Sequence, residues 1–209
     1  MEEMTTASGE DLRVIALVAS AGGLDAVSTV LSGLAADLGA AVIVLIHQEP
    51  HRENALVYLL GRRSSLPVAA AEDGGRLRAG HVVVAPPGKH TLVTPRHTTA
   101  LIVSGATPPS RPSADLLLTT LAIACGARAT AAVLSGAGHD GATGATAVHH
   151  FGGTVLASTE ASSQYFSMPR ATIERDHVID GVVALEEMAQ ALSTIVSSSG
   201  GVPEARREG

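Results

Sequence analysis

Three short, almost unbroken apolar stretches punctuate the chain: Arg13–Ala19 (RVIALVA), Ala41–Ile46 (AVIVLI) and Ala129–Leu134 (ATAAVL). Runs of this kind, with no polar residue at alternate positions, predict strands buried on both faces, as in a parallel sheet covered by helices. Between the first two, Leu24–Leu38 repeats apolar residues at helical spacing, which makes a βαβ unit. A more polar helix is expected over Glu53–Arg62. The pattern then breaks into short β-rich pieces separated by Pro-Pro-Gly and Pro-Arg-His, which predicts an antiparallel excursion over Val82–Val103.

Pro112-Ser113 signals the start of a helix running to Cys125, and a Gly-rich loop, SGAGHDG, follows the third apolar stretch. A helix over Gly141–His150, a strand over Thr154–Ala157, a loop through Met168-Pro169 and a last helix over Leu185–Ile195 complete the pattern. Alternating strands and helices predict an α/β fold. The sheet is doubly wound and mostly parallel, flanked by helices and made mixed by an antiparallel hairpin insert. Residues 13–196 form one domain, while the polar stretches 1–12 and 197–209 have the composition of disordered ends.

Composition narrows the function classes. With no Trp, two Tyr and two Phe, the core is built from Val, Leu, Ile and Ala. Fourteen basic against twenty acidic side chains give a net charge of −6, so phosphate backbones are repelled and nucleic acid is not expected as a partner. The single cysteine, Cys125, cannot form an internal disulfide. No apolar run approaches the roughly 20 residues that span a bilayer, and no secretory leader is visible, so a cytoplasmic protein without membrane insertion is expected.

The chemistry gathers at strand ends, where α/β sheets place their ligands. The first strand runs into Ser20-Ala21-Gly22-Gly23 and then a helix. Ser20 is either a helix cap or an exposed nucleophile beside outward-pointing amides, of which Ala21 supplies the first candidate oxyanion donor. The second strand ends at His47, either a structural histidine or a general base. Asp140 precedes a helix and is either its N-cap or the carboxylate that orients a histidine. Each residue alone suits the structural alternative. A Ser, a His and an Asp at three strand ends also satisfy a nucleophile, its base and the acid behind the base. Ser20 and His47 are then expected in hydrogen-bond range, or one rotamer from it, with Asp140 on the far side of the imidazole. A metal site through His47 and His51 fails because Pro50 prevents the required helix, so no metal is expected. The order Ser, His, Asp and the Val18 at the first position of a G-x-S-x-G elbow exclude the usual α/β-hydrolase pattern.

The stretches LVASAGGLDAV, VIVLIHQEP, LRAGHVVVAPPGKHTLV, RPSADLLLTTLA, VLSGAGHDGATGA and FSMPRATI, in this order, resemble the catalytic domain of CheB-type protein-glutamate methylesterases. The resemblance runs from about Val14 to Ile195. It implies a central, mostly parallel sheet with Ser20, His47 and Asp140 as the triad, and adds Ala137 as a second oxyanion candidate. It points to His90, Arg111-Pro112-Ser113 and Met168-Pro169 as cleft-lining segments, with Arg111 equally suited to a structural salt bridge. Ala21 stands where Thr or Ser is common, Ala137 where Met is usual, and Ser167 where Gly is usual before Met-Pro.

The implied activity is hydrolysis of glutamate γ-methyl esters on a chemoreceptor-like protein, with glutamine deamidation at the same site and no cofactor. Only residues 1–12 precede the first strand, so the phosphorylatable receiver domain usual in the family is expected to be absent. Two rivals are a catalytically silent interaction domain and a nucleotide-binding α/β module. The second lacks G-x-G-x-x-G and ends its second strand in His47-Gln48, where a dinucleotide site favours an acidic residue.

Overall fold

The computed structural model describes residues 11–49, 55–103 and 112–198. Its elements are β1 (Arg13–Ala19), α1 (Gly23–Gly33), β2 (Ala40–Ile46), α2 (Leu56–Gly61), β3 (Val68–Ala70), β4 (Val82–Val84), β5 (His90–Val93) and β6 (Thr99–Ile102). They continue with α3 (Ala114–Cys125), β7 (Ala129–Val133), α4 (Ala142–His150), β8 (Thr154–Ser158), α5 (Ser167–Ile173), β9 (Gly181–Val183) and α6 (Leu185–Ser198). Seven strands form one sheet in the order β3-β4-β2-β1-β7-β8-β9, and β5 and β6 form a separate pair.

Side-chain alternation along the two central strands divides the core. Ile15, Leu17, Val42 and Val44 face α1 and α6, while Val14, Ala16, Val18, Ile43 and Leu45 face α3 and α4. Helices cover both faces, so both alternating sets must be apolar and the strands read as unbroken hydrophobic runs. The chain leaves β1 toward β2 on one side and later returns to pair β7 on the other. The carboxyl ends of β1 and β7 therefore flank the topological switch point, where loops diverge and leave a crevice.

Several expectations are corrected. Every pairing in the large sheet is parallel, so the sheet is not mixed. Val82–Val84 belongs to that sheet between β2 and β3, and only β5 and β6 form the antiparallel hairpin. Three-residue strands β3 and β9 carry too little pattern to announce themselves. The Met168-Pro169 segment is helical rather than a loop, because Pro169 sits in the first turn of α5, where a missing N–H costs no hydrogen bond. Helix α1 stops at Gly33; Leu34 and Leu38 remain buried, but from the loop that follows.

At the ends, Leu12 packs against the core, and α6 runs through Ser198, into the segment expected to be a flexible tail. Positions 1–10 and 199–209, the start of the helix expected from Glu53, and Arg111 lie outside the described residues.

Helices α3 and α4 lie side by side at Gly144, where a Cβ would come 2.6 Å from Leu118 Cβ and 2.9 Å from the Asp115 carbonyl oxygen. Gly144→Ala should therefore force the helices apart and cost about 1–3 kcal/mol of stability. Denaturant unfolding measures this. An unchanged or higher midpoint would show that the helix pair is not tightly seated.

Candidate active site

The register of the central strands places three side chains in a row. Ala19 pairs with Ile46, and the His47 N–H continues that ladder to the Ala19 carbonyl at 3.0 Å. On the other side the Ser20 N–H donates to the Ser135 carbonyl at 3.0 Å. Ser20 thus stands between His47 and Ser135 at the carboxyl edge of the sheet. The turn out of β1 uses Gly22 at φ 72°, a left-handed conformation that favours glycine, and Gly22 caps α1 without a side-chain hydrogen bond. Ser20 is therefore not the helix cap. Ser20 lines a cleft of about 280 Å³ together with His47, Gln48, Gly22 and the apolar Leu24 and Leu56.

Behind the histidine, His47 Nε2 meets Asp140 Oδ2 at 2.8 Å. Asp140 does not cap the helix that follows it, because Gly141 holds that position. It caps α3 instead. The Ala114 N–H donates to Asp140 Oδ2 at 2.7 Å, the Asp115 N–H to Oδ1 at 2.9 Å, and the Ser113 hydroxyl to Oδ1 at 3.1 Å. Burial by itself acts to raise the carboxyl pKa. The His47 hydrogen bond, the two helix N–H groups and the histidine charge outweigh it and bring the pKa down to about 2. An ionised carboxylate only accepts, so the ring nitrogen facing it is the donor, and in the neutral ring the lone pair falls on Nδ1. This is the reverse ring orientation of the chymotrypsin-type triad, where Nε2 is the base.

A second carboxylate returns the favour. Asp115, in the first turn of α3, accepts the N–H groups of Gly141 and Gly144 at 2.9 and 2.8 Å and so holds the start of α4. Burial, with the neighbouring Asp140 charge adding to it, raises its pKa against these hydrogen bonds. The two aspartates cap one another's helices, which fixes the loop carrying Asp140 to the helix that Asp140 holds.

No hydrogen bond joins Ser20 to His47, although both line the cleft; such bonds are often loose in a ligand-free site and tighten around the reacting group. The Ala21 N–H has no hydrogen-bond partner among the described residues, and neither has that of Ala137, which is exposed in the loop after β7. Ser167 ties that loop down: its hydroxyl donates to the Gly136 carbonyl and accepts the Gly138 N–H, both at 3.2 Å.

The expected cleft-wall residues are placed differently. His90 is buried, and its Nδ1 accepts the Ser113 N–H at 3.1 Å, so it supports the start of α3 from beneath. Met168 is fully buried, packed under Gly136, whose backbone passes close to Ser20. Sequence reasoning missed Ser135, Asp115 and Gln48. Ser135 ends a strand just as Ser20 does, so the strand-end rule applied to VLSGAG would have found it. Gln48 borders the cleft with its amide nitrogen buried and without a partner among the described residues.

The sequence model described as CheB methylesterase matches residues 15–192. The chain is 37% identical over 194 residues to a protein-glutamate methylesterase/protein-glutamine glutaminase of Myxococcus xanthus, covering 90% of this chain and 55% of that protein. With a protein of the same description from Moorella thermoacetica it shares 34% identity, covering 90% and 45% respectively. The chain thus spans about half the length of the curated relatives it matches. The crystal structure of the Thermotoga maritima CheB methylesterase catalytic domain superposes with a TM-score of 0.84 at 27% identity, covering 88% of this chain and 99% of that one.

The lowered pKa of Asp140 has a stability consequence. Its folded-state value of about 2 lies below the unfolded value near 4, so folding favours the ionised form. The contribution is complete above about pH 4 to 5, disappears as pH falls through about 2, and amounts to about 2 kcal/mol. The stability gap between wild type and Asp140→Asn should therefore narrow by about that much between pH 5 and pH 2 in denaturant titrations. A gap that stays constant with pH would refute this charge assignment.

Proposed function

The chain belongs to the CheB methylesterase family, and on that premise we propose that it is a serine hydrolase that removes methyl groups from glutamate γ-methyl esters on a chemoreceptor-like protein. The observation that carries the reading is the His47–Asp140 contact at 2.8 Å, with Ser20 and His47 each one residue beyond the paired Ala19 and Ile46.

The proposed reaction begins when Ser20 Oγ attacks the ester carbonyl carbon and gives its proton to His47 Nδ1. Asp140, kept ionised by the α3 N-terminus, stabilises the imidazolium that forms. The carbonyl oxygen becomes an oxyanion beside the N–H groups of Ala21 and Ala137. Collapse breaks the carbon–methoxy bond, and the leaving oxygen takes the proton from His47 as methanol departs. Water then attacks the acyl-enzyme with His47 again as base, releasing the glutamate carboxyl group and restoring Ser20. A glutamine side chain would follow the same route with ammonia as the leaving group, in keeping with the double name of the relatives. No cofactor takes part in these steps.

The silent-domain reading has no residue-level support, because the acid–base pair it would not need is assembled. A receptor helix of the cytoplasm is the partner this reading implies, and among the described residues no helix is long and apolar enough to cross a membrane.

Methanol release from a methylated receptor fragment tests the proposal. Ser20→Ala and His47→Ala should each lower kcat on the order of a million-fold, and Asp140→Asn roughly ten-thousand-fold, since triad members act as a unit. Losses below about tenfold in all three variants would reject the triad.

A further inference from the structure

Three successive peptide planes surround the proposed nucleophile, and each is tied. The Ser20 N–H donates to the Ser135 carbonyl at 3.0 Å, and the Ser20 carbonyl accepts the Gly23 N–H at 2.9 Å. The Ala21 carbonyl accepts the Ser135 hydroxyl at 3.0 Å. That hydroxyl in turn accepts the Tyr165 N–H at 3.0 Å, and the Tyr165 carbonyl, at 3.4 Å, is a more distant acceptor for its hydrogen than the Ala21 carbonyl. Ser135 is 1% exposed, so these bonds compete with no solvent.

A trans peptide carries its C=O and N–H on opposite sides. Tying the Ala21 carbonyl to Ser135 therefore turns the Gly22 N–H away from Ser135. Gly22 is part of the cleft lining with Ser20, and its N–H has no hydrogen-bond partner among the described residues. The Ala21 N–H belongs to the adjoining plane and is equally unpartnered.

We propose that Ser135 is a positioning residue: through its hydroxyl it orients the Ala21–Gly22 peptide so that the Gly22 N–H, beside that of Ala21, receives the oxyanion formed at Ser20. The inference rests on the esterase reading above. A hydroxyl that only fills a buried space and satisfies the Ala21 carbonyl would affect stability alone. A hydroxyl that aims a donor acts in the transition state, where one oxyanion donor is worth about 100- to 1000-fold in kcat. Misaiming one is expected to forfeit about 10- to 100-fold.

The test compares Ser135→Ala, Ser135→Cys and Ser135→Thr with wild type in methanol release, in labelling of Ser20 by a fluorophosphonate, and in thermal unfolding. Cysteine keeps the side chain's approximate size with a weak donor, while threonine keeps the hydroxyl. Ala and Cys variants that remain folded at the assay temperature should lose about 10- to 100-fold in kcat with KM within about twofold, and should label more slowly in parallel. Threonine should recover most of the loss. If wild type is active but Ala and Cys keep kcat within about twofold, or lose only in KM, Ser135 does not aim the donor and the inference falls while the esterase reading stands. Equal losses in Thr and Ala also overturn it. If wild type neither releases methanol nor labels, the reading and this inference fall together.

Discussion

The arrangement depends on one carboxylate. Asp140 takes two helix N–H groups, a serine hydroxyl and an imidazole nitrogen, and those bonds link the loop after β7, the start of α3 and the end of β2. A partly buried carboxylate is costly without donors, and here two of the donors are backbone groups that a helix N-terminus would otherwise leave unsatisfied. The same charge that completes α3 also decides the histidine tautomer. Structure and proposed chemistry therefore draw on a single hydrogen-bond set, and a change at Asp140 disturbs both.

Around that node the site is held by reciprocal ties rather than by a stack of side chains. Asp115 holds the helix beginning beside Asp140, while Asp140 holds the helix that contains Asp115. Ser135 and Ser167 do similar service for the backbone on the two sides of the proposed oxyanion position, each donating to a carbonyl whose peptide partner N–H faces elsewhere. Short polar side chains at loop ends suit this task because they lose little rotamer entropy when fixed. The apolar core supplies the rigid platform: β2 and β7 are buried along their whole length and β1 from Val14 onward, so the strand ends cannot shift independently.

Two departures from the family pattern gain a physical account. Ser167, where glycine is usual, bonds to both sides of Ala137 and steadies a loop whose own side chain there has been reduced to a methyl group. At Ala21 the side chain takes no part in the turn's hydrogen bonds, which all run through the backbone and Ser135, so the loss of a hydroxyl leaves the turn intact.

By itself the sequence determined the α/β class, the central buried strands, the placement of Ser20, His47 and Asp140 at strand ends, and the α3 cap at Ser113. These follow from local periodicity and turn chemistry, which a one-dimensional pattern records directly. What only the tertiary structure decided was how the pieces meet. Val82–Val84 looked like part of a hairpin, yet it pairs in parallel with β2 on one side and β3 on the other. Asp140 looked like the cap of the next helix but caps one that begins 26 positions earlier, at Ala114. His90 and Met168 looked like cleft residues and lie buried beneath it. Local pattern states which backbone groups need a partner; which residue supplies it depends on strand order and helix packing, and those are set by burial of the whole sheet at once.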